Sequence, residues 1–171
     1  MTDILCLSAE DAEKVTTVSE IDSMAGYLTR SDELEENTLV RQVIPYVIVR
    51  RNGMVLSYQR KGQEDRLHAF RSIGIGGHVD FPETVESGLV REMEEEIGVT
   101  VDFDRLKHLG FIRMSDSPVN KVHLCVIYSY DLGDDDFTPN EDEILDPQWI
   151  NMISDQYEPW SIEAWRIIQQ V

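Results

Sequence analysis

Glu92, Glu95 and Glu96 are the residues of this chain whose spacing most invites chemistry. On a helix, positions i, i+3 and i+4 share one face, so these three carboxylates would crowd together while Glu94 points elsewhere. Like charges at that spacing destabilise a helix by roughly a few tenths of a kcal/mol per pair, and more in a half-buried site. Arg91 is the one cation in the segment and cannot neutralise the set. A hard divalent cation could. No His or Cys lies on the helix, so oxygen-only ligation suits Mg2+ or Mn2+ rather than Zn2+. The glycines just upstream, Gly76 and Gly77, leave room for a backbone carbonyl to approach the same ion, where a side chain would block it. The competing reading is a solvated acidic face. The paired glycines, the lone Arg91 and the spacing weigh against that.

Several elements must position these groups. Thr84 is placed to cap a helix that runs to about Ile97, with Gly98 as its stop. Val85, Leu89, Met93 and Ile97 recur every four residues and form its buried stripe. Gly88 falls inside the helix, where it costs roughly 1 kcal/mol against Ala, and close backbone packing would explain it. Upstream, Leu39–Arg51 and Met54–Arg60 are rich in β-branched and aromatic residues and flank Asn52-Gly53, a strong hairpin signal. Pro45 inside the first run suggests a bulge or an edge position. Ser72–Asp80 reads as extended and glycine-loaded. Downstream, Lys107–Met114 and Lys121–Asp131 read as strands joined by a turn at Ser115–Asn120. An acidic loop follows, with eight acids and no base from Asp131 to Asp146. Gln148–Asn151 reads as a last short strand and Trp160–Val171 as a closing amphipathic helix. Strands on both sides of a central helix imply an α/β domain with a mixed sheet. Residues 1–38 hold all ten acids of the first forty residues against Lys14 and Arg30. They read as an acidic N-terminal arm with one strand and one short helix, packed on a domain spanning 39–171.

The chain has 171 residues, 42% hydrophobic and 28% charged, enough for one domain with a proper core. Its 15 Lys and Arg against 33 Asp and Glu give a formal charge of -18. That balance excludes duplex DNA, which needs a basic footprint, and docking on an anionic membrane. A phosphorylated ligand would need a cation between itself and such a protein. No apolar stretch is long enough for a transmembrane helix, and Met1–Lys14 carries acids where a signal peptide needs basic and then apolar residues. Cys6 and Cys125 have no metal-site spacing and read as buried free thiols, so the expected location is cytoplasmic. Arg50, Arg51, Arg60, Lys61, Arg66 and Arg71 gather many of the bases into about twenty positions. Either they balance surface charge or they recognise phosphate, with Arg60, Arg66 and Arg71 the best placed because they flank the loop into the glycines. His78 reads as a loop hydrogen-bonding residue more readily than a catalytic one. Tyr46, Tyr58 and Tyr128 read as core, and Trp149, Trp160 and Trp165 as packing anchors of the C-terminal helix.

The segment Gly77–Val99 resembles the Nudix box, G-x5-E-x7-R-E-U-x-E-E-x-G-U with U aliphatic. It is matched without gaps by Gly77, Glu83, Arg91, Glu92, Met93, Glu95, Glu96, Gly98 and Val99. From average composition such a match arises by chance about once in 10^8 windows, and an acid-rich chain raises this by roughly two orders of magnitude. The resemblance implies a Nudix-type α/β/α sandwich with a mixed β-sheet. It implies a pyrophosphohydrolase that cleaves a small nucleoside diphosphate linked to another moiety, by in-line attack of metal-activated water on phosphorus. It further implies Glu92, Glu95, Glu96 and the Gly76 carbonyl as ligands of Mg2+ or Mn2+. Arg91 would orient the glutamates with Glu83 as its structural partner. Glu96 or Glu92 would be the first candidate for general base, and one of Glu141, Asp142 or Glu143 the second. The resemblance leaves a homodimer open. Downstream signatures for ADP-ribose, dinucleoside polyphosphate, NADH or coenzyme A substrates are absent; Arg113 and Met114 stand where the first would want proline. Isopentenyl diphosphate isomerases share the fold, but their cysteine would fall near Gly76. A catalytically silent nucleotide-binding regulatory module is the main alternative, and it would be expected to have lost box glutamates that are all present here.

Overall fold

The computed structural model describes residues 2–61 and 70–171. In chain order the N-terminal elements are β1 (Asp3–Ser8), α1 (Ala9–Lys14), α2 (Val18–Met24), β2 (Gly26–Thr29) and α3 (Asp32–Glu36). Next come β3 (Val40–Arg51), β4 (Met54–Arg60), β5 (Arg71–Ser72), β6 (Gly74–Gly76) and α4 (Val85–Ile97). β7 (Leu106–Ile112), β8 (His123–Asp131), β9 (Ile144–Ile150) and α5 (Pro159–Gln169) complete the chain.

The sheet is organised around β3. Its β-branched run pairs in parallel with β8 from Gln42 to Arg50, and β8 pairs antiparallel with β7. Along its other flank β3 pairs antiparallel first with β1, at Val40–Gln42, and then with β6, at Tyr46–Ile48. The hairpin to β4 turns at Asn52 and Gly53, with φ of 52° and 77°, the left-handed pair that a two-residue turn requires. Beyond the turn β4 leaves β3 and pairs with β5 and β9. The sheet is therefore mixed.

Side chains along β3 alternate between two cores, as the two-residue period of a strand dictates. Val43, Val47 and Val49 join Leu89, Met93 and Ile97 of α4 on one face. Ile44, Tyr46 and Ile48 join Ala164 and Ile168 of α5 on the other. A helix on each face of a mixed sheet is the α/β/α sandwich that the resemblance implied. Helix α4 follows its expected limits. Thr84 caps it in a reciprocal pair with Ser87, and Gly98 stops it in the left-handed conformation at φ 65°. Val85, Leu89, Met93 and Ile97 are all fully buried. Gly88 lies where an added Cβ would come within 3.3 Å of Val79, the close packing its presence suggested.

Three expectations change. Pro45 marks neither an edge nor a bulge: it sits mid-strand opposite Val126, where the flank paired with β1 has ended and that paired with β6 has not begun. Its missing N–H therefore removes no rung on that flank. The last strand begins at Ile144, four positions earlier than expected, because β4 offers an edge as far as Arg60 and Ile144 is buried against it. The N-terminal segment holds two strands and three short helices rather than one of each. β1 is laddered between β2 and β3, so this segment extends the sheet.

Candidate active site

The cap and buried stripe of α4 fix which residues face the sheet, and so direct Glu92 and Glu96 toward β6. Arg91 is the hub. Its Nε and Nη2 form a fork on Glu83, at 2.7 Å to Oε2 and 3.0 Å to Oε1. Nη2 also donates to the carbonyl of His78 at 3.0 Å. Nη1 donates to Glu92 Oε1 at 2.9 Å and to Glu95 Oε2 at 3.2 Å. Burial works against a charged Glu83. The Arg91 fork and the Asp80 N–H, which donates to Glu83 Oε1 at 2.8 Å, outweigh it and hold that carboxyl below its usual pKa. One guanidinium thus ties the loop 78–83 to the acidic face of the helix.

The glycines form the floor. A Cβ on Gly76 would lie 1.8 Å from the Pro45 carbonyl oxygen, and one on Gly77 would lie 2.6 Å from Glu92 Oε1. One on Gly74 would enter the Tyr46 ring. Only glycine lets β6 pass between β3 and the helix carboxylates.

Glu96 is the unusual group. Its Oε2 is buried and has no hydrogen-bond partner among the described residues. Burial first, and then the Glu92 and Glu143 charges, push its pKa well above the ordinary carboxylate value, against Arg60 and the Gly76 backbone. Glu92 is also raised, mainly by burial, despite Arg91. Two adjacent carboxylates with raised pKa values, an orphaned buried oxygen and a floor without side chains fit a hard divalent cation. No three acidic, His or Cys side chains among the described residues converge as a ready metal cluster. Glu92 and Glu95 are drawn instead onto Arg91.

Glu92, Glu95, Glu96 and the three glycines line a cavity of about 430 Å3 with Tyr46, Arg60 and Glu143 among its walls. Of the expected phosphate-binding residues, Arg60 is there, 3.6 Å from Glu158 Oε2. Glu158, only 2% exposed, was not foreseen from the sequence. It accepts from Tyr46 Oη at 2.8 Å and Ser72 Oγ at 2.7 Å. Burial opposes the Arg60 charge, but Glu158 first, then Tyr58, Tyr46 and Glu96, together outweigh it and raise its pKa. Arg71 does not line the cavity. It donates to Ser57 Oγ at 3.0 Å and Asp146 Oδ2 at 3.1 Å, tying β5 to β4 and β9. Arg66 lies outside the described residues. Of the three acids expected in the acidic loop, Glu143 reaches the cavity and Glu141 and Asp142 do not line it.

His78 bonds Gln42 Oε1 through Nε2 at 2.7 Å, and burial, then Arg30 and His123, lower its pKa to about 3. It is a neutral loop-fixing residue. Trp160 lines the cavity, donating to Asn120 Oδ1 at 2.6 Å and meeting Tyr46 and His123 edge-on. Arg30, from the N-terminal segment, also lines it. No sequence motif marks Glu158, and Arg30 was conspicuous only as one of two bases in an acidic stretch.

Residues 40–170 match the sequence model of the NUDIX domain. Protein YmaB of Bacillus subtilis (strain 168) is 31% identical over 134 residues, covering 72% of this chain and 65% of YmaB. The chain therefore spans just under two thirds of that relative's length. The crystal structure of Tm1382, assigned by inference to the Nudix hydrolases, is similar with a TM-score of 0.72 at 26% identity. That likeness covers 99% of this chain and all of Tm1382, and so includes the N-terminal segment. A bifunctional NMN adenylyltransferase/ADP-ribose pyrophosphatase from Francisella tularensis, complexed with AMP and a Mn ion, is similar in fold. Its TM-score is 0.60 at 17% identity, over 76% of this chain and 41% of that one.

Proposed function

The chain belongs to the Nudix family, and from that premise we propose that it hydrolyses the diphosphate linkage of a small nucleoside diphosphate joined to another group. The observation that carries this reading is Glu96, a carboxylate with a buried oxygen that has no donor among the described residues, beside Glu92 over a glycine floor. A divalent cation, Mg2+ or Mn2+, held by Glu92, Glu95, Glu96 and the Gly76 carbonyl, would acidify a water and neutralise charge on the leaving phosphate.

The chain's own residues do the rest. Arg91 fixes the glutamates and loop 78–83 in one arrangement. Arg60, braced by Glu158, is the cation available to phosphate oxygens at that wall. Glu92 is occupied by Arg91, which leaves Glu96 as the carboxylate to take the proton of the attacking water, with Glu143 second. Neither Cys6 nor Cys125 lines the cavity, which weighs against the isomerase chemistry. The Francisella relative was seen with AMP and Mn, which supports a nucleotide and a divalent cation as the ligand classes. Both cysteines are free and buried, in keeping with a reducing, cytoplasmic setting. Among the described residues no helix is long and apolar enough to cross a membrane.

The test is phosphorus NMR of a panel incubated with the protein and Mg2+: ADP-ribose, NADH, a diadenosine polyphosphate, nucleoside triphosphates and a nucleotide sugar. We expect cleavage of at least one compound, lost on removing Mg2+ and in Glu96→Gln. Binding without turnover of any compound would favour the silent regulatory module. Turnover that survives Glu96→Gln would mean that other residues do the chemistry.

A further inference from the structure

The N-terminal segment lies outside the matched Nudix domain, yet it is bonded to the loop that leads into α4. Leu5 N–H donates to the Val79 carbonyl at 2.8 Å, and Phe81 N–H to the Asp3 carbonyl at 2.9 Å. Tyr27 Oη donates to the Glu83 carbonyl, and its ring meets Phe81 edge-on at 5.0 Å. Asp22 Oδ1 accepts from Val85 N–H at 3.1 Å, in the first turn of α4. Strand β2 ends at Thr29, so Arg30 is the next residue of this clamp, and its own N–H donates to the Thr2 carbonyl at 3.1 Å. The backbone of Arg30 is therefore fixed relative to the site.

Its side chain lines the cavity. Among the described residues only Arg30 and Arg60 bring full positive charge to that lining, against five carboxylates. The two cations have different neighbours. Arg60 pairs with Glu158, 3.6 Å away, whereas Arg30 pairs with Glu35 of the N-terminal segment. Arg30 is 47% exposed and, among the described residues, its side chain is held only by Glu35 at 3.5 Å, which leaves most of its donors unspent there. A guanidinium in that condition, facing a site that must hold a polyanion, is a recognition group.

Resting on the diphosphate reading above, we propose that Arg30 binds the second phosphate of the substrate, the one further from Arg60. The N-terminal segment is then a specificity element of the site. A diphosphate then engages both cations, one phosphate with Arg30 and the other with Arg60, and a monophosphate engages Arg60.

Calorimetric titration of the full chain in Mg2+ tests this. The ligands are methylenediphosphonate, an uncleavable diphosphate mimic without a base, and methylphosphonate as its one-phosphate control. Arg30→Gln is expected to weaken methylenediphosphonate binding about tenfold to a hundredfold, the loss of one charged hydrogen bond. Methylphosphonate binding should change by less than about twofold, and Arg30→Lys should recover part of the loss. An unchanged dissociation constant in Arg30→Gln, an equal loss for both ligands, or no binding of methylenediphosphonate by the wild type would each overturn the proposal. Hydrolysis stands or falls separately. A panel with no turnover, alongside a selective loss in Arg30→Gln, would retain Arg30 and discard the hydrolase. Turnover with unchanged binding in Arg30→Gln would do the reverse.

Discussion

Replacing Arg91 by lysine keeps the positive charge and removes the fork, so it separates charge from geometry. The guanidinium makes two bonds to Glu83, one to the His78 carbonyl, one to Glu92 and one to Glu95. A lysine ammonium is a single point with three donors. It cannot span Glu83 and Glu92 from one position, so the second bond of the fork and either the Glu92 or the His78 bond are lost. A hydrogen bond to a charged group is worth roughly 1.5–3 kcal/mol net when buried. Arg91 is 27% exposed, which argues for the lower end. Glu95, at 59% exposed, adds next to nothing. The expected loss is then about 2–3 kcal/mol. For a chain of this length that is a drop in Tm of roughly 4–12 °C. Turnover of whichever panel compound is cleaved should fall at least about tenfold, since Glu92 is no longer held. The assay is a thermal melt followed by circular dichroism, paired with initial rates. A Tm within about 1 °C of the wild type together with full turnover would refute the reasoning, leaving the charge alone as what matters.

Gly77→Ala would put a Cβ 2.6 Å from Glu92 Oε1, so the carboxylate must swing away. We expect a folded protein by circular dichroism with Mg2+ binding and turnover both reduced, and intact Mg2+ binding would contradict the glycine-floor argument. Met93→Ala removes a fully buried side chain between α4 and the sheet and should cost about 2–5 kcal/mol in urea unfolding. A loss below about 1 kcal/mol would mean that this core is looser than described. Burial, with the Glu35 charge second, pushes the Cys6 thiol up to about 11, and burial raises Cys125 well above its usual value. Because the thiolate is the reactive form, both thiols are protonated at pH 8 and should react with Ellman's reagent only after unfolding. Rapid reaction of two equivalents in the native protein would count against this burial.

The parts legible in the sequence were those whose cause is local. Thr84, the stripe from Val85 to Ile97 and Gly98 carry α4 by themselves, and Asn52-Gly53 carries the hairpin. The Nudix box likewise lies within 23 residues, and Arg91 reaches Glu83 only eight positions away. What escaped depends on distant neighbours. Glu158 is an isolated acid in the sequence and becomes part of the site through Tyr46, 112 positions earlier. Arg71 belongs to the same basic cluster as Arg60, but β5 pairs with β4, which β9 also joins, and the Arg71 side chain reaches Asp146 and not the cavity. Pro45 looked like an edge residue because the sequence does not reveal that β1 and β6 share one flank of β3. The acidic N-terminal segment has weak local patterning because its order comes from the ladder to β3 and the bonds to loop 79–85.

The central claim is that the carboxylates of α4 hold the divalent cation that diphosphate cleavage needs. A Mn2+ titration followed by electron paramagnetic resonance tests it without knowledge of the substrate. The account predicts saturable Mn2+ binding by the wild type that Mg2+ competes away. It also predicts that binding is weakened at least about tenfold in Glu96→Gln, whose fold is unchanged by circular dichroism. Equal Mn2+ affinity in the wild type and Glu96→Gln, or no saturable binding by the wild type, would contradict it.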